Sequence, residues 1–480
     1  MKTYIGNNCV VDLLPFEKTC KTLVEEKIAL HEREGKEEAF LVGDLGDIIS
    51  KYKRWVKKLP RVEPFYAVKC NDDHAVLKVL SDLGASFDCA SKAEIEKVLK
   101  LGVQPTRIIY ANPCKQTSYI RYAAKHHVSL MTFDNEGELH KVKENYPDAK
   151  LVLRILPPNN FKVQCELGMK FGCQPSKARL LLEAARNLGV DVVGVSFHVG
   201  SGCREARAFA VAIQQARQVF DIGLELGFNM NLLDIGGGFP GQRSAPISFD
   251  EIVEVLNEAL ELHFPSDEGV RIIAEPGRYM VASAFTLGAN VIAKRVVARD
   301  KHGEKGEPIV LSSASEEPAM MYYINDGVYG SFNCLLYDHA HVEVSLPGEP
   351  EMDITYECSL WGPTCDGLDC ILSKTHLPEL KIGDWLYFLD MGAYTMAAAS
   401  TFNGMPPPIR YYYCLADVWY EVYPKQQRKE KAWIKQMPKH LKSGHTLHEA
   451  AATHDLENLL DTTPAIDGFM FGTVFDAIEH

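Results

Sequence analysis

No C-x-x-C pair occurs in this sequence, although it holds 13 cysteines. An odd count without close spacing disfavours both a complete disulfide framework and a zinc knuckle, so no metal site is expected and the thiols read as reduced, as in the cytoplasm. Positive charge is also scarce: 51 Lys and Arg against 64 Asp and Glu leave a formal charge of -13. Nucleic acid is therefore not the expected partner, because a phosphate-binding surface needs an extended basic face. The only basic run is Lys425, Arg428, Lys429, Lys431, Lys435, Lys439 and Lys442. Long apolar runs are missing too. The most apolar stretch, 279–293, is interrupted by Ser283, Thr286, Gly288 and Asn290 and is too short to span a bilayer, so it reads as core and no membrane association is expected. Residues 1–16 lack the continuous apolar segment of a secretory signal.

What the sequence does hold is an ordinary globular composition, 46% hydrophobic and 24% charged over 480 residues, enough for two domains. Its pivot is Pro64-Phe65-Tyr66-Ala67-Val68-Lys69-Cys70-Asn71. An aromatic-rich strand signal runs into one lysine at the strand's carboxyl end, and Asn71-Asp72-Asp73 then cap a helical pattern. A lysine there either snorkels to solvent or is desolvated, partly neutral and able to condense with an aldehyde. With 64–69 as the first, strands are expected at 86–89, 108–110, 129–133, 151–155, 193–198, 231–235 and 272–275. Helical patterns alternate with them at 73–83, 92–101, 117–125, 136–144, 176–188, 205–226 and 249–263. Two open with S-x-x-E capping boxes, Ser91 to Glu94 and Ser248 to Glu251. This rhythm predicts an α/β fold, a closed (β/α)8 barrel over 45–285, with a doubly wound open sheet as the competitor.

Ahead of the barrel, 1–44 contains a helix at 22–33 and a short strand at 39–42, and reads as an N-terminal segment packing on a second domain. That second domain, 286–424, is expected to be mainly antiparallel β, from short runs at 309–311, 321–324, 341–345, 356–360, 384–389 and 411–414 without long helices between them. Residues 299–318 read as a loop and 425–480 as a variable, partly disordered tail.

Barrel enzymes carry their reactive groups after the strands' carboxyl ends, with phosphate typically held after the seventh and eighth. Here Lys69 ends the first strand and Asp88 the second, Arg154 lies in the fifth, and His198 ends the sixth. Gly236-Gly237-Gly238 follow the seventh and Glu275 ends the eighth. Singly, each has a structural explanation: Arg154 with Asp88 as a buried ion pair, His198 as a satisfied core histidine, the glycines as a turn. Stability residues have no reason to gather at one rim, however. The glycines open backbone N–H groups to an anion and Arg278 adds a bidentate contact. A lysine, a phosphate cradle and a carboxylate placed to hold a pyridinium nitrogen together describe pyridoxal phosphate.

The strings PFYAVKCN, FDCASKAE, SFHVGSG, LDIGGGFPG, AEPGRY, NDGVYGSFNC, WGPTCDGLD and MGAYTMAAASTFNG, spread over about 38–415, resemble the eukaryotic ornithine decarboxylases, fold-III pyridoxal-phosphate decarboxylases. The resemblance implies a (β/α)8 barrel packed on a β domain and a head-to-tail homodimer whose active sites draw on both subunits. It also implies decarboxylation of L-ornithine to putrescine and carbon dioxide, the first step of polyamine biosynthesis. Carried over by position, Lys69 resembles the Schiff-base lysine and His198 the imidazole stacked on the cofactor. Ser201, Gly236, Gly237, Gly238, Arg278 and Tyr394 match its phosphate surroundings, and Glu275 the pyridinium partner, with Pro276 and Gly277 lining the same site. Asp88, Glu94 and Arg154 match charged supports. Cys365 matches the thiol that reaches across the dimer to reprotonate the α-carbon. Tyr337, Asp338, Asp366, Phe402 and Asn403 match the substrate pocket. Asp338 and Asp366 would repel each other unless a cation lay between them, and a diamine substrate supplies one.

Two other readings compete. A non-catalytic protein of the antizyme-inhibitor kind would keep the fold but lose cofactor residues, whereas Lys69, Asp88, His198, Glu275, Arg278 and Cys365 are all present. A decarboxylase of another basic amino acid would need a different wall at 338; lysine stays open as a weaker substrate, since one methylene discriminates by only about 1–3 kcal/mol. Segment 115–141 resembles the antizyme-binding surface of animal enzymes, with Lys115, Arg121 and Lys141 as its positive charges.

Overall fold

The computed structural model describes residues 2–5, 9–158, 161–296, 320–348 and 355–428. The loop expected at 299–318, the strand expected at 309–311 and nearly all of the tail lie outside the described residues. The chain divides into two compact units, Thr19–Tyr411, and Met1–Lys18 with Tyr412–His480.

Within the larger unit, β1 (Val62–Ala67), β2 (Ser86–Cys89), β3 (Ile108–Tyr110), β4 (Leu130–Phe133), β5 (Lys150–Arg154), β6 (Asp191–Ser196), β7 (Leu232–Asp234) and β8 (Arg271–Ala274) form a closed barrel. All neighbours are parallel, and β8 pairs with β1 as β5 does with β6, so no strand edge is left open. The doubly wound alternative is excluded. Phe65, Ile109, Val152, Val193, Leu232 and Ile273, from six of the strands, form one buried cluster inside the barrel. Each such side chain stabilises by roughly 1.5–3 kcal/mol. Helices lie between successive strands, and their caps explain their starts. Asp73 accepts the Ala75 N–H ahead of helix His74–Leu83, and Ser248 and Glu251 form a full capping box. At Ser91 only half of the box forms: Ser91 accepts the Glu94 N–H, but the Glu94 carboxylate accepts the N–H of Ala90 instead. Helix Leu45–Lys58 was not anticipated. Its apolar residues Leu45, Ile48, Ile49, Tyr52, Trp55 and Val56 do follow the helical spacing, and Asp44 starts it by accepting from Gly46 and Asp47.

The second sheet of this unit is built on one long strand, Phe285–Val296, which takes up most of the apolar stretch read as core. It pairs antiparallel with Phe40–Asp44, Trp385–Phe388 and Met320–Ile324. Met320–Ile324 pairs parallel with Tyr356–Trp361, which pairs antiparallel with Cys370–Leu377. Cys370–Leu377 escaped the sequence reading because Ser373 and Lys374 break its apolar alternation at exposed positions. In the smaller unit, Lys2–Ile5 pairs antiparallel with Cys9–Leu14. Cys9–Leu14 in turn pairs parallel with residues of Ile409–Leu415, and helix Ala416–Val422 follows. No described helix is long and apolar enough to cross a membrane.

One surface expectation is overturned. Lys115 is buried, with Nζ bonded to the Thr132 carbonyl at 2.6 Å and paired with Glu138 at 2.8 Å, because the rim after β3 folds it under the helix Glu136–Asn145. It presents no charge to a partner; burial lowers its pKa. Lys141 pairs with the same Glu138, and Arg121 is exposed.

His31 offers a test of the fold's packing. It sits fully buried on helix Cys20–Glu34, against the rings of Phe40, Trp385 and Tyr411, with Nε2 2.9 Å from the Tyr411 hydroxyl. Burial, then Lys36, lowers its pKa. A lowered histidine pKa means that the folded state resists protonation. The stability contributed by neutral His31 is therefore present above the unfolded value of about 6.5 and lost as pH falls through the folded one. A His31→Gln variant should melt below the wild type at pH 7.5, and the gap in Tm should narrow as pH is lowered to 5.

Candidate active site

β1 stops at Ala67, and the chain then makes one 3-10 turn, Val68–Cys70, so Lys69 stands just beyond the strand. The turn is clamped on both sides. The Tyr394 N–H donates to the Cys70 carbonyl at 2.9 Å, Asn71 Nδ2 donates to the Gly392 carbonyl at 2.9 Å, and the Tyr66 hydroxyl donates to the Asn71 carbonyl at 2.8 Å. Lys69 Nζ forms an ion pair with Asp88, which the β1–β2 register sets opposite Ala67. Burial alone would lower the lysine's pKa, but Asp88 and then Glu275 outweigh it and the net direction is upward. With Asp88 paired to it, Lys69 is held toward its charged form rather than the partly neutral one. It is an ammonium held by a fully buried carboxylate whose other oxygen, Oδ1, has no partner.

His198 follows β6. Burial, then the cations of Arg154 and Lys69, pushes its pKa well below the usual value, and the Gly200 N–H donates to Nδ1 at 3.1 Å. The ring is neutral with its proton on Nε2. Beyond β7, a Cβ on Gly237 would come within 2.7 Å of His198 Nε2, and one on Gly238, at φ +114°, within 2.7 Å of Val199 Cγ2. These positions admit only backbone. Gly236 ties the loop to β8, accepting the Glu275 N–H at 2.7 Å. Glu275 and Asp234 are both buried acids at the ends of β8 and β7. Burial raises Asp234 to about 7, and burial, then Asp234 and Asp88, carries Glu275 well above the carboxylate range. Neighbouring buried carboxyls do not both ionise, so a proton resides on this pair. Asp234 was missed, although the rule that found Asp88, an acid closing a barrel strand, applies to it equally.

Arg278 opens the short turn Arg278–Val281 and is buried. Its Nη1 and Nη2 donate to Asp338 at 2.7 and 2.6 Å, and Nη2 also donates to Ser201 Oγ at 2.8 Å, while Nε has no partner. The guanidinium stands 5.0 Å from the Tyr394 ring centroid. The Pro276 carbonyl accepts the Ala67 N–H at 3.2 Å and joins the exit of β8 to β1. Lys69, His198, Ser201, Gly237, Gly238, Glu275, Gly277, Arg278 and Tyr394 line one cleft. Asp88 stands behind Lys69. Glu94 is raised by burial to about 7 while it accepts the Ala90 N–H at 2.6 Å. Arg154 forms no ion pair with Asp88 among the described residues; its guanidinium lies 5.1 Å from the centre of the Phe171 ring.

Other expected site residues stand apart from this cleft. Cys365 is exposed, with its N–H donating to Asn403 Oδ1 at 2.9 Å, and Asp366 accepts the Tyr329 hydroxyl. The Tyr329 and Phe402 rings lie 4.5 Å apart, and Tyr337 is 71% exposed. Asp338 and Asp366 are not brought together within this chain, since Asp338 is buried against Arg278. Tyr329 and Gln164, which contacts Asp338, were missed as well. Gln164 touches a residue 174 positions away, which no local pattern reveals.

Residues 45–282 match the family described as "Pyridoxal-dependent decarboxylase, pyridoxal binding domain". Ornithine decarboxylase of Rattus norvegicus is 55% identical over 402 residues, 84% of this chain and 86% of the relative. Antizyme inhibitor 2 of Xenopus laevis is 54% identical over 393 residues, 82% and 84% of the two chains. The crystal structure of the Paramecium bursaria Chlorella virus arginine decarboxylase aligns with a TM-score of 0.73 at 34% identity, covering 82% of this chain and all of that one. A barrel rim built in this way, together with more than half identity over most of both chains, means that the chain belongs to the eukaryotic ornithine decarboxylase branch of the pyridoxal-dependent decarboxylases.

Proposed function

We propose that the cleft holds pyridoxal phosphate and that the protein uses it to decarboxylate L-ornithine to putrescine and carbon dioxide. The observation that carries this reading is a single rim on which a lysine–carboxylate pair, a side-chain-free glycine loop beside a buried guanidinium, and a protonated acid pair face the same space. The residues present fit the cofactor. Arg278 Nε is a buried donor without a partner, Gly237 and Gly238 let the loop pack side-chain-free against His198 and Val199 at the edge of the cleft, and Glu275 can meet a ring nitrogen. When bound, pyridoxal phosphate supplies an electron sink for the carbanion left as carbon dioxide departs.

The chain's own residues do the rest. Lys69 is the covalent attachment point, and Asp88 holds it in place and accepts charge from it. Ser201, Gly236, Gly237, Gly238, Arg278 and Tyr394 would hold the phosphate, His198 would lie against the ring, and Pro276 and Gly277 would line the same wall. Glu275, which shares a proton with Asp234, protonates the ring nitrogen and so strengthens the sink. Glu94 and Arg154 balance charge around Lys69. By its resemblance to the family's thiol, Cys365 of a partner subunit returns a proton to the α-carbon, which accords with its being exposed and not lining the cleft of its own chain. Asp366, with Tyr337 and Phe402, receives the distal ammonium, whereas Asp338, expected there too, has both carboxylate oxygens taken by Arg278. We infer a homodimer on this account, with 45–285 as its cofactor-holding barrel and 286–424 as its β domain. A cytoplasmic location accords with the absence of any disulfide among the 13 cysteines. An acidic regulatory partner of the antizyme kind would engage 115–141 through Arg121 and Lys141, without Lys115.

The direct test is carbon dioxide and putrescine release from L-ornithine with added pyridoxal phosphate. The wild type should turn over, and a Lys69→Ala variant should lose at least about 10³-fold in kcat, as expected when a covalent group is removed. Shared sites predict complementation. An equimolar mixture of inactive Lys69→Ala and Cys365→Ala subunits should regain about a quarter of wild-type activity, because random pairing leaves one intact site in half of the dimers. No recovery after subunit exchange would place Cys365 outside the partner's site.

A further inference from the structure

The segments that follow β5 and β6 pair with each other as a two-stranded antiparallel ribbon, Val163–Cys165 with Ser201–Cys203, in the register Ser201↔Cys165 and Cys203↔Val163. Both strands of this ribbon reach the same buried ion pair. From one, Ser201 Oγ accepts from Arg278 Nη2 at 2.8 Å. From the other, Gln164 Nε2 donates to the Asp338 carbonyl at 2.6 Å and to Asp338 Oδ2 at 3.1 Å, while Cys165 Sγ donates to the same carbonyl at 3.2 Å. The two N–H bonds of one carboxamide thus grip the backbone and the side chain of Asp338 together. Gly202 makes room for this grip: at φ +61°, a Cβ there would come within 2.8 Å of Gln164 Cβ and Oε1. Asp338 in turn uses both carboxylate oxygens on the two Nη atoms of Arg278, which leaves the guanidinium's Nε–H and one Nη1–H as its uncommitted donors.

A bidentate arginine–carboxylate pair fixes the plane of the guanidinium as well as its charge. Whatever fixes the carboxylate therefore fixes the direction of the donors that Arg278 has left. We propose that Gln164 is a positioning residue that acts through Asp338 to aim Arg278 at the phosphate of the bound cofactor. The proposal rests on the reading of the cleft as a pyridoxal-phosphate site. Gln164 itself touches no reacting atom. Its role is geometric and electrostatic, because its carboxamide offers donors where a second carboxylate would repel Asp338.

The test compares Gln164→Leu, which removes the donors at similar size, with Gln164→Glu, which keeps the shape and puts an acceptor in their place. For each, the dissociation constants of pyridoxal phosphate and of pyridoxal, which lacks the phosphate, are measured by spectroscopic titration of the full-length apo-protein. Losing a hydrogen bond to a charged group is expected to weaken pyridoxal phosphate about 10-fold in Gln164→Leu, and the added like charge about 100-fold in Gln164→Glu. Pyridoxal binding should change less than about 3-fold in both, since the phosphate is where Arg278 acts. The melting temperatures of the apo-variants, read in parallel, separate lost aim from lost fold. Equal affinity for pyridoxal phosphate in both variants and the wild type would overturn the proposal, as would an equal loss for both ligands. A wild type that binds neither ligand would instead overturn the cofactor reading on which the proposal rests.

Discussion

The Lys69–Asp88 ion pair, set where two parallel strands leave the barrel, is the interaction on which the site depends. A lysine ammonium on a barrel rim is stable only if a fixed anion is beside it, and Asp88 is fixed because β2 pairs with β1 in a register that allows no slip. The turn carrying Lys69 is held in its turn by Asn71, Tyr66 and the Gly392–Tyr394 backbone. Closure of the barrel, the pairing of its first two strands and the loop that caps them thus converge on one nitrogen. The same logic appears across the cleft, where Arg278 is compensated by Asp338 and the Glu275–Asp234 pair by a retained proton.

These compensations divide the labour of the rim. Positive groups are neutralised by carboxylates that stand behind them, which leaves their remaining donors directed into the cleft. Negative groups are neutralised by protons, which can be passed to a ligand's basic nitrogen. The glycine loop packs against His198 and Val199 without side chains, which keeps its backbone at the edge of the cleft. A ligand with a phosphate, an aldehyde and a ring nitrogen satisfies all three at once, and this is why the lysine, the glycines and the acids are explained better together than singly.

Much of this was legible in the residues themselves. The strands 86–89 and 108–110 and the helices 117–125 and 249–263 coincide with the observed elements, because apolar patterns specify them locally and the Ser248 capping box adds to the last. Lys69, Asp88, His198 and Glu275 were found by one topological rule, that chemistry follows the strands' carboxyl ends. Most of the misses have physical causes. Cys370–Leu377 is half exposed and shows no clean alternation, whereas helix Leu45–Lys58, started by Asp44, does carry a helical period that was overlooked. The protonation of Lys69 depends on the balance of burial against Asp88 and Glu275, which are distant in sequence. Lys115 lies in a segment that reads as a basic surface, yet it folds beneath a helix onto Glu138. Gln164 acquires its role only when the ribbon after β5 folds across to Asp338.

The central claim, that Lys69 is where the cofactor is held, is tested most directly by incubating the wild-type protein with pyridoxal phosphate, reducing with borohydride, and locating the label by peptide mass spectrometry. The account predicts one pyridoxyl group per chain, on Lys69. Label on Lys115 or another lysine, or none on a protein that still releases putrescine, would contradict it.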